Sequence, residues 1–437
     1  MRLSGFLLAG VMAATVWSAE VSATPLFARQ TGMACSSCHF QHFPLLNGFG
    51  RAFKAAGFTM MGGQNKVEGA DLSIPNTLNM AVVTTAGYER SNQKAGALNV
   101  KSTGDGVFYV PNSGGELSLF FGGRVSENAG FLAEWNMGNA ASNHSSAKLP
   151  IQYDASSLFS FLPPGTRMGV VPFATDLEGA SYGFEVLNTG ANAVHQMVVA
   201  AGMNNAHSGA ISAQQYISTN GKAKGVAFVI SNPVGFVNFT KFDQTGIAGS
   251  PPPGGGTSMG STYLRVAGIF EWSGWDVAAG AQMWSGSSAG AVTVVGGVPT
   301  ATVTATKATA LDGQMQGLMG GMPVGFYVSY AEAPKDATGN TYNPGGTTTK
   351  SSLNISSEVG VSPEKATLGA AMRFGTNGNG ENDNAIMLTG TYKMAQNMML
   401  SLSYTSASGS YWFSNGSTGT TDTFGNSTYT LNLFTAF

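Results

Sequence analysis

The chain has 437 residues, a formal net charge of -2, and only 10% charged residues against 43% hydrophobic and 10% aromatic ones. Its 60 glycines follow no period, which excludes a collagen-like chain, and its apolar content is ample for a core, which excludes a disordered one. No basic patch points to nucleic acid; sparse charge suits a surface facing lipid, although a large soluble β-protein shares that composition.

Met1-Arg2 precede an apolar stretch, Phe6 to Trp17, and the small-residue site Val21-Ser22-Ala23. That is the form of a secretory signal peptide over residues 1–23, cut after Ala23. The apolar run, about a dozen residues, is too short to cross a ~30 Å hydrocarbon core as a helix. No later stretch reaches the required length without interruption, so an exported chain with no membrane helix is expected.

Both cysteines lie in one pentapeptide, Cys35-Ser36-Ser37-Cys38-His39. In an exported protein this spacing is the attachment signature of a c-type haem: two thiols add to the porphyrin vinyl groups and the adjacent His binds the iron from the proximal side. The competing readings are a CxxC redox pair activated by His39 and a zinc site, for which the neighbourhood offers too few ligands. For the sixth ligand, His42 shares a face with His39 on a continuing helix and cannot reach the far side of a haem. It reads instead as a polar residue or a hydrogen-bond partner near a propionate. Met60 or Met61 lies far enough downstream to fold back as a thioether ligand, with plain packing as the alternative for each. His144, His195 and His207 remain open as ligands from the barrel.

Leu45, Leu46, Phe49, Phe53 and Ala56 then recur at helical spacing, with Pro44 suited to a first turn and Gly57 to a C-terminal cap. Residues 24–75 thus form a segment of about 50 residues, near the lower limit for independent folding, so a haem and the barrel must supply much of its core. The stretch FARQTGMACSSCHFQHFPLLNGFGRAFKAAGF, Phe27 to Phe58, resembles the N-terminus of the fused monohaem cytochrome-porins, the outer-membrane iron oxidases of Fe(II)-oxidising bacteria. The resemblance implies one covalent haem c on Cys35 and Cys38, His39 as proximal ligand, a porin-like barrel, and electron uptake from extracellular iron.

Over residues 76–437 short alternating segments recur. Tyr429, Leu431, Leu433 and Phe437 alternate with Thr430, Asn432 and Ala436; Ile386, Leu388 and Tyr392 alternate with Thr389, Thr391 and Lys393. Leu400, Leu402 and Tyr404 oppose Ser401, Ser403 and Thr405. Leu119 and Phe121 precede Phe131 and Trp135; Val266, Phe270 and Trp272 turn through Ser273-Gly274 into Trp275, Val277 and Met283; Leu368, Met372 and Phe374 oppose Thr367 and Arg373. One parity is lipid-compatible and the other small or polar, the pattern of an all-β transmembrane barrel of roughly sixteen antiparallel strands in a Gram-negative outer membrane. A soluble β-sandwich or β-helix is the alternative, but its inner face would be apolar. Outer loops are expected near 89–115, 139–180, 204–222, 244–261, 286–303, 334–350, 376–383 and 407–427. Within 139–180, further apolar residues allow another hairpin or an inward-folded loop.

The N-terminal segment precedes the first strand and is expected to plug the lumen from the periplasmic side. Arg124, Glu134, Arg265, Glu271, Asp276, Glu358 and Arg373 are inward candidates, read chiefly as a ladder of charges solvating the lumen. The expected function is outer-sphere electron transfer, with Fe(II) reducing the haem near the outer mouth and a periplasmic c-type cytochrome removing the electron. The alternatives are a solute channel whose haem segment serves gating or assembly, and a haem sensor or peroxidase, for which no distal acid-base pair is evident.

Overall fold

A computed structural model describes residues 25–92, 106–137, 145–189, 212–244, 259–295, 298–413 and 426–437. The expected signal peptide and three candidate ligands, His144, His195 and His207, fall outside the described residues. The wall is a closed antiparallel barrel of sixteen strands, from Asn79–Ser91 to Ser427–Ala436. These two strands pair with each other, Thr428 opposite Ser91 through to Ala436 opposite Val83. Closure satisfies the backbone polar groups along the ladder, which is the condition for strands to cross a bilayer. No described helix is long and apolar enough to do so.

Alternation decides the two faces. In the last strand Thr428, Thr430 and Asn432 are buried while Tyr429 and Leu431 stand outside. The same holds for Thr389 and Thr391 against Ile386 and Leu388, and for Ser401, Ser403 and Thr405 against Leu402. The enclosed face is therefore polar and the exposed one apolar, the reverse of a sandwich and the form of an outer-membrane barrel.

One end of the barrel carries short turns. Ser273 (φ 51°) and Gly274 (φ 79°) both take the left-handed backbone of a two-residue hairpin turn, with Trp272 paired to Trp275 across it. The wall's last residue meets the same end, the Ala436 N–H donating to the Asn397 carbonyl at 3.1 Å. Short turns and chain ends mark the periplasmic side of such barrels.

Within 139–180, where an outer loop is expected with a further hairpin or an inward-folded loop as the alternative, the hairpin is present. Ser145–Lys148 and Ile151–Asp154 form one wall strand interrupted at Leu149-Pro150, and Arg167–Thr175 forms the next. Pro150 cannot donate to the ladder, so each piece is only four residues long and its period is hidden. The inward-folded segment begins after these strands, at Asp176, and Tyr182, Phe184 and Val186, spaced like a strand, pack inside the lumen. The loop expected at 286–303 is largely β-structure, the strands Trp275–Val295 and Val298–Ala305 pairing beyond the wall.

The N-terminal segment sits in the turn end of the lumen. It comprises a helix Pro25–Thr31, a 3-10 turn Cys35–Ser37, a helix Gly48–Ala55 and a hairpin of Lys66–Gly69 with Leu72–Pro75. The second helix starts later than Pro44: Asn47 caps it, its side chain accepting from the Gly50 N–H at 2.9 Å. Leu45 and Leu46 precede it yet are buried, and Gly57 (φ 73°) ends it as expected. The Gln30 amide fastens the segment internally and to the wall, donating to the Phe58 and Met60 carbonyls at 2.7 and 2.8 Å while its oxygen accepts from the Arg124 N–H at 3.0 Å.

Candidate cofactor site

The haem-attachment motif is wound into a tight turn, the Cys38 and His39 N–H groups donating to the Cys35 carbonyl at 3.0 and 2.8 Å. Asn47 holds it from outside, its amide donating to the Ser36 and Ser37 carbonyls at 3.2 and 3.1 Å. The helix then lies directly on the motif: a Cβ added at Gly50 would stand 2.1 Å from the Cys38 oxygen. Glycine is required there for close approach.

His39 Nδ1 lies 2.9 Å from the Leu45 carbonyl. A carbonyl only accepts, so Nδ1 carries the proton and Nε2 keeps its lone pair, the arrangement that fixes a metal-ligating imidazole. Burial pushes the His39 pKa down to about 4, against the carbonyl bonds that raise it, so the ring is neutral at ordinary pH. Burial also pushes the Cys35 thiol up to about 12 and raises Cys38, and the two sulfurs are not joined. A redox-active CxxC needs the opposite shift.

Recesses flank the motif on both sides. One, about 1170 Å³ counted to its open mouth, is lined by Cys35, His39, Phe43, Lys393, Met399 and Phe434. The other, about 840 Å³, is lined by Met33, Cys38, His39, Phe53, Phe58 and Leu132. Phe43 and Phe434 stack at 5.3 Å and 21°, joining segment to wall. Two thiols, a neutral imidazole with a free Nε2, aromatic walls and empty space beside them fit a covalently held haem.

The larger recess also touches Gly321, Pro363 and Asn397, which belong to the short turns. The site is therefore at the turn end, and the expectation of a haem near the outer mouth is corrected.

Met60 and Met61 line neither recess, whereas Met33 and Met399 do. Both nitrogens of His42 are engaged, Nε2 with Glu358 Oε2 at 2.6 Å and Nδ1 with the Phe43 carbonyl at 2.8 Å, so His42 has no lone pair for iron.

The inward charges are clamps rather than a solvated ladder. Asp276 pairs with Arg51 and Glu358 with His42, both holding the segment. Arg265 pairs with Asp312 and with Glu185, the latter at 3.1 Å, all with side chains fully buried. Arg373 pairs with Asp383, which also accepts from Trp412 Nε1 at 2.9 Å. Arg124 donates to Ser73 Oγ at 3.1 Å, and Glu134 accepts from Ser118 Oγ at 3.2 Å. Glu271 stands exposed at the turn end. Sequence reasoning missed Arg51, Glu185 and Asn188, which lie outside any strand and carry no periodic signal.

No family model matches the chain, and no curated protein matches it. Among solved structures it is similar to OmpT, an outer-membrane protein of Vibrio cholerae in its in-vitro folded trimer form, with a TM-score of 0.47 and 10% identity over 83% of this chain and 99% of that one. It is similar also to a mutant of the Rh. blastica porin, with a TM-score of 0.46 and 12% identity over 83% of this chain and 100% of that one. These likenesses concern fold alone; the barrel assignment rests on the strand ladder itself.

Proposed function

We propose that the protein is an outer-membrane electron carrier, an iron:cytochrome c oxidoreductase that takes electrons from extracellular Fe(II) and passes them to a periplasmic c-type cytochrome. The observation that carries this reading is the state of His39, held through Nδ1 by the Leu45 carbonyl with Nε2 free, between two unjoined thiols and two recesses. Cys35 and Cys38 would hold the ring covalently and His39 would be its proximal ligand. Bound there, haem c supplies a one-electron couple. Phe43 and Phe434 stack beside the site, and a position at the turn end would suit transfer to a soluble periplasmic acceptor. Each Fe(II) loses one electron and each acceptor gains one, with no atom transferred.

A solute channel gated or assembled by the N-terminal segment is the second reading, and the porin-type barrel is what favours it. The filled lumen weighs against it: the N-terminal segment enters from the turn end with Phe184 and Val186 packed beside it, and Tyr182 packs with Phe173, Tyr263 and Trp284 nearer the loop end.

The test has three parts. Haem staining of a denaturing gel should give a band that disappears in Cys35→Ala with Cys38→Ala. In detergent, Fe(II) should reduce the oxidised protein without a mediator, and His39→Ala should abolish that reduction while the barrel keeps its heat-modifiable migration. A haem that dithionite reduces and Fe(II) never does removes iron as the donor. Strong conductance of wild-type protein in a planar bilayer, with no reduction by Fe(II), establishes the channel reading instead.

A further inference from the structure

The recess beside Cys35 contains a cation to which the packing assigns no partner. Lys393 stands near the turn end of the strand Asn384–Ala395, on the same face as the buried Met387, Thr389 and Thr391. It lines the recess with Cys35 and His39, and its charge bears on Cys35, His39 and His42 together. The other charges facing this cluster are Glu358, bonded to His42, and Glu364 on the turn at residues 363–365. Among the described residues no carboxylate lies within ion-pair distance of Lys393. Arg51 and Arg265, also directed into the lumen, are each paired.

A half-buried ammonium without a counter-ion is held at a cost in desolvation. The recess it faces is the space that a haem attached through Cys35 would enter, and a haem carries carboxylates. We infer that Lys393 is the barrel's contribution to the cofactor site: it provides the positive charge that pairs with a haem carboxylate and favours the reduced form of the couple. The inference rests on the haem reading above and deepens it, because it makes the wall, 355 to 358 residues downstream of the cysteines, part of the electron-transfer site. Reduction adds one negative charge to the site, so a nearby cation stabilises the product. Coulomb attraction at an effective dielectric of about 20 is worth a tenfold change in equilibrium constant even at ~10 Å.

The experiment is a spectroelectrochemical titration of the full-length protein in detergent, read on haem absorbance. Lys393→Met should make reduction about tenfold less favourable, a fall of ~59 mV for a one-electron couple. Lys393→Arg should keep the wild-type potential, and Glu364→Gln should move it the opposite way by less. Heat-modifiable migration and haem staining on the same samples show that barrel and attachment persist. An unchanged potential in Lys393→Met with haem retained overturns the inference and leaves the haem reading intact. An equal fall in Lys393→Arg also overturns it, because charge is then not the cause. Wild-type protein without covalent haem overturns both, and the gel alone shows that.

Discussion

The two ends of the lumen are filled by different means. At the loop end, the segment entering at Asp176 is welded to the wall by chemistry that leaves little space. Arg265, Asp312 and Glu185 are fully buried together, Thr189 Oγ1 donates to Asp312 at 2.7 Å, and Tyr182 packs with Phe173, Tyr263 and Trp284. At the turn end, the N-terminal segment is held by a few discrete contacts, His42 with Glu358, Arg51 with Asp276, Phe43 on Phe434, and large recesses remain between them. A close-packed interior is the rule in proteins. One end follows it as a structural closure, while the other departs from it around the residues suited to hold a cofactor.

Breaking the loop end should have the largest effect. Arg265→Ala leaves Asp312 and Glu185 buried without their cation, and removal of one partner from a buried pair costs ~3–5 kcal/mol. The expected outcome is a clear drop in the temperature at which the barrel loses its heat-modifiable form. Arg265→Met with Asp312→Leu should restore part of it, since apolar replacements of both partners are often tolerated. A single variant as stable as wild type would mean the loop is held by its apolar contacts alone.

At the turn end, His42→Gln should release the segment without lowering barrel stability to the same degree. The pH dependence has a definite sign. Burial alone would lower the His42 pKa, but the Glu358 charge and hydrogen bond outweigh it, and the net shift is upward from 6.5. A raised folded-state value contributes stability that is complete below the ordinary pKa and is lost as pH rises through the folded one. Lys393 faces the same group and opposes the shift only in part. Protease access to the segment should therefore increase as the solution becomes alkaline, and His42→Gln should flatten that dependence. Access that falls with rising pH contradicts the assignment.

The same division explains what could be read in the sequence. The wall was legible because each strand repeats its own rule: Leu400, Leu402 and Tyr404 against Ser401, Ser403 and Thr405 need no knowledge of a partner. Ser273-Gly274 announced its turn for the same local reason, and Cys35 to His39 carry their chemistry within five residues. The lumen was not legible. Tyr182, Phe184 and Val186 alternate like a strand and are buried inside instead, because the space available to them is fixed by the whole barrel. His42 and Glu358 are 316 residues apart, and nothing near either one indicates the other. Lys393 was legible as inward-facing from its parity with Thr389 and Thr391, but what it faces is set by the segment.

The smallest expected effect is at the joint where the two fillings meet. The Leu46 N–H donates to Asn188 Oδ1 at 2.8 Å, and Asn188 Nδ2 donates to the Leu46 carbonyl at 2.9 Å. Asn188 is in turn fixed by its own N–H, which donates to Gln314 Oε1 at 2.7 Å. Leu46 lies beside His39, the two bridged as a short antiparallel pair, so the joint links the loop-end closure to the proximal side of the site. Asn188→Ala removes both side-chain bonds and leaves a buried N–H and carbonyl on Leu46 to find water, at ~1–3 kcal/mol for an unsatisfied group. Because His42, Arg51 and Phe43 still hold the segment, the barrel should assemble and the segment should stay docked. The change should appear locally, as faster hydrogen exchange at the Leu46 and His39 amides. Asn188→Asp separates geometry from mere loss of a side chain: its oxygen can still accept from the Leu46 N–H, but it cannot donate to the carbonyl. Exchange at Leu46 in that variant should stay nearer the wild-type rate than in Asn188→Ala. Equal acceleration in both would show that the amide donor, rather than the paired bonds, holds the two fillings together.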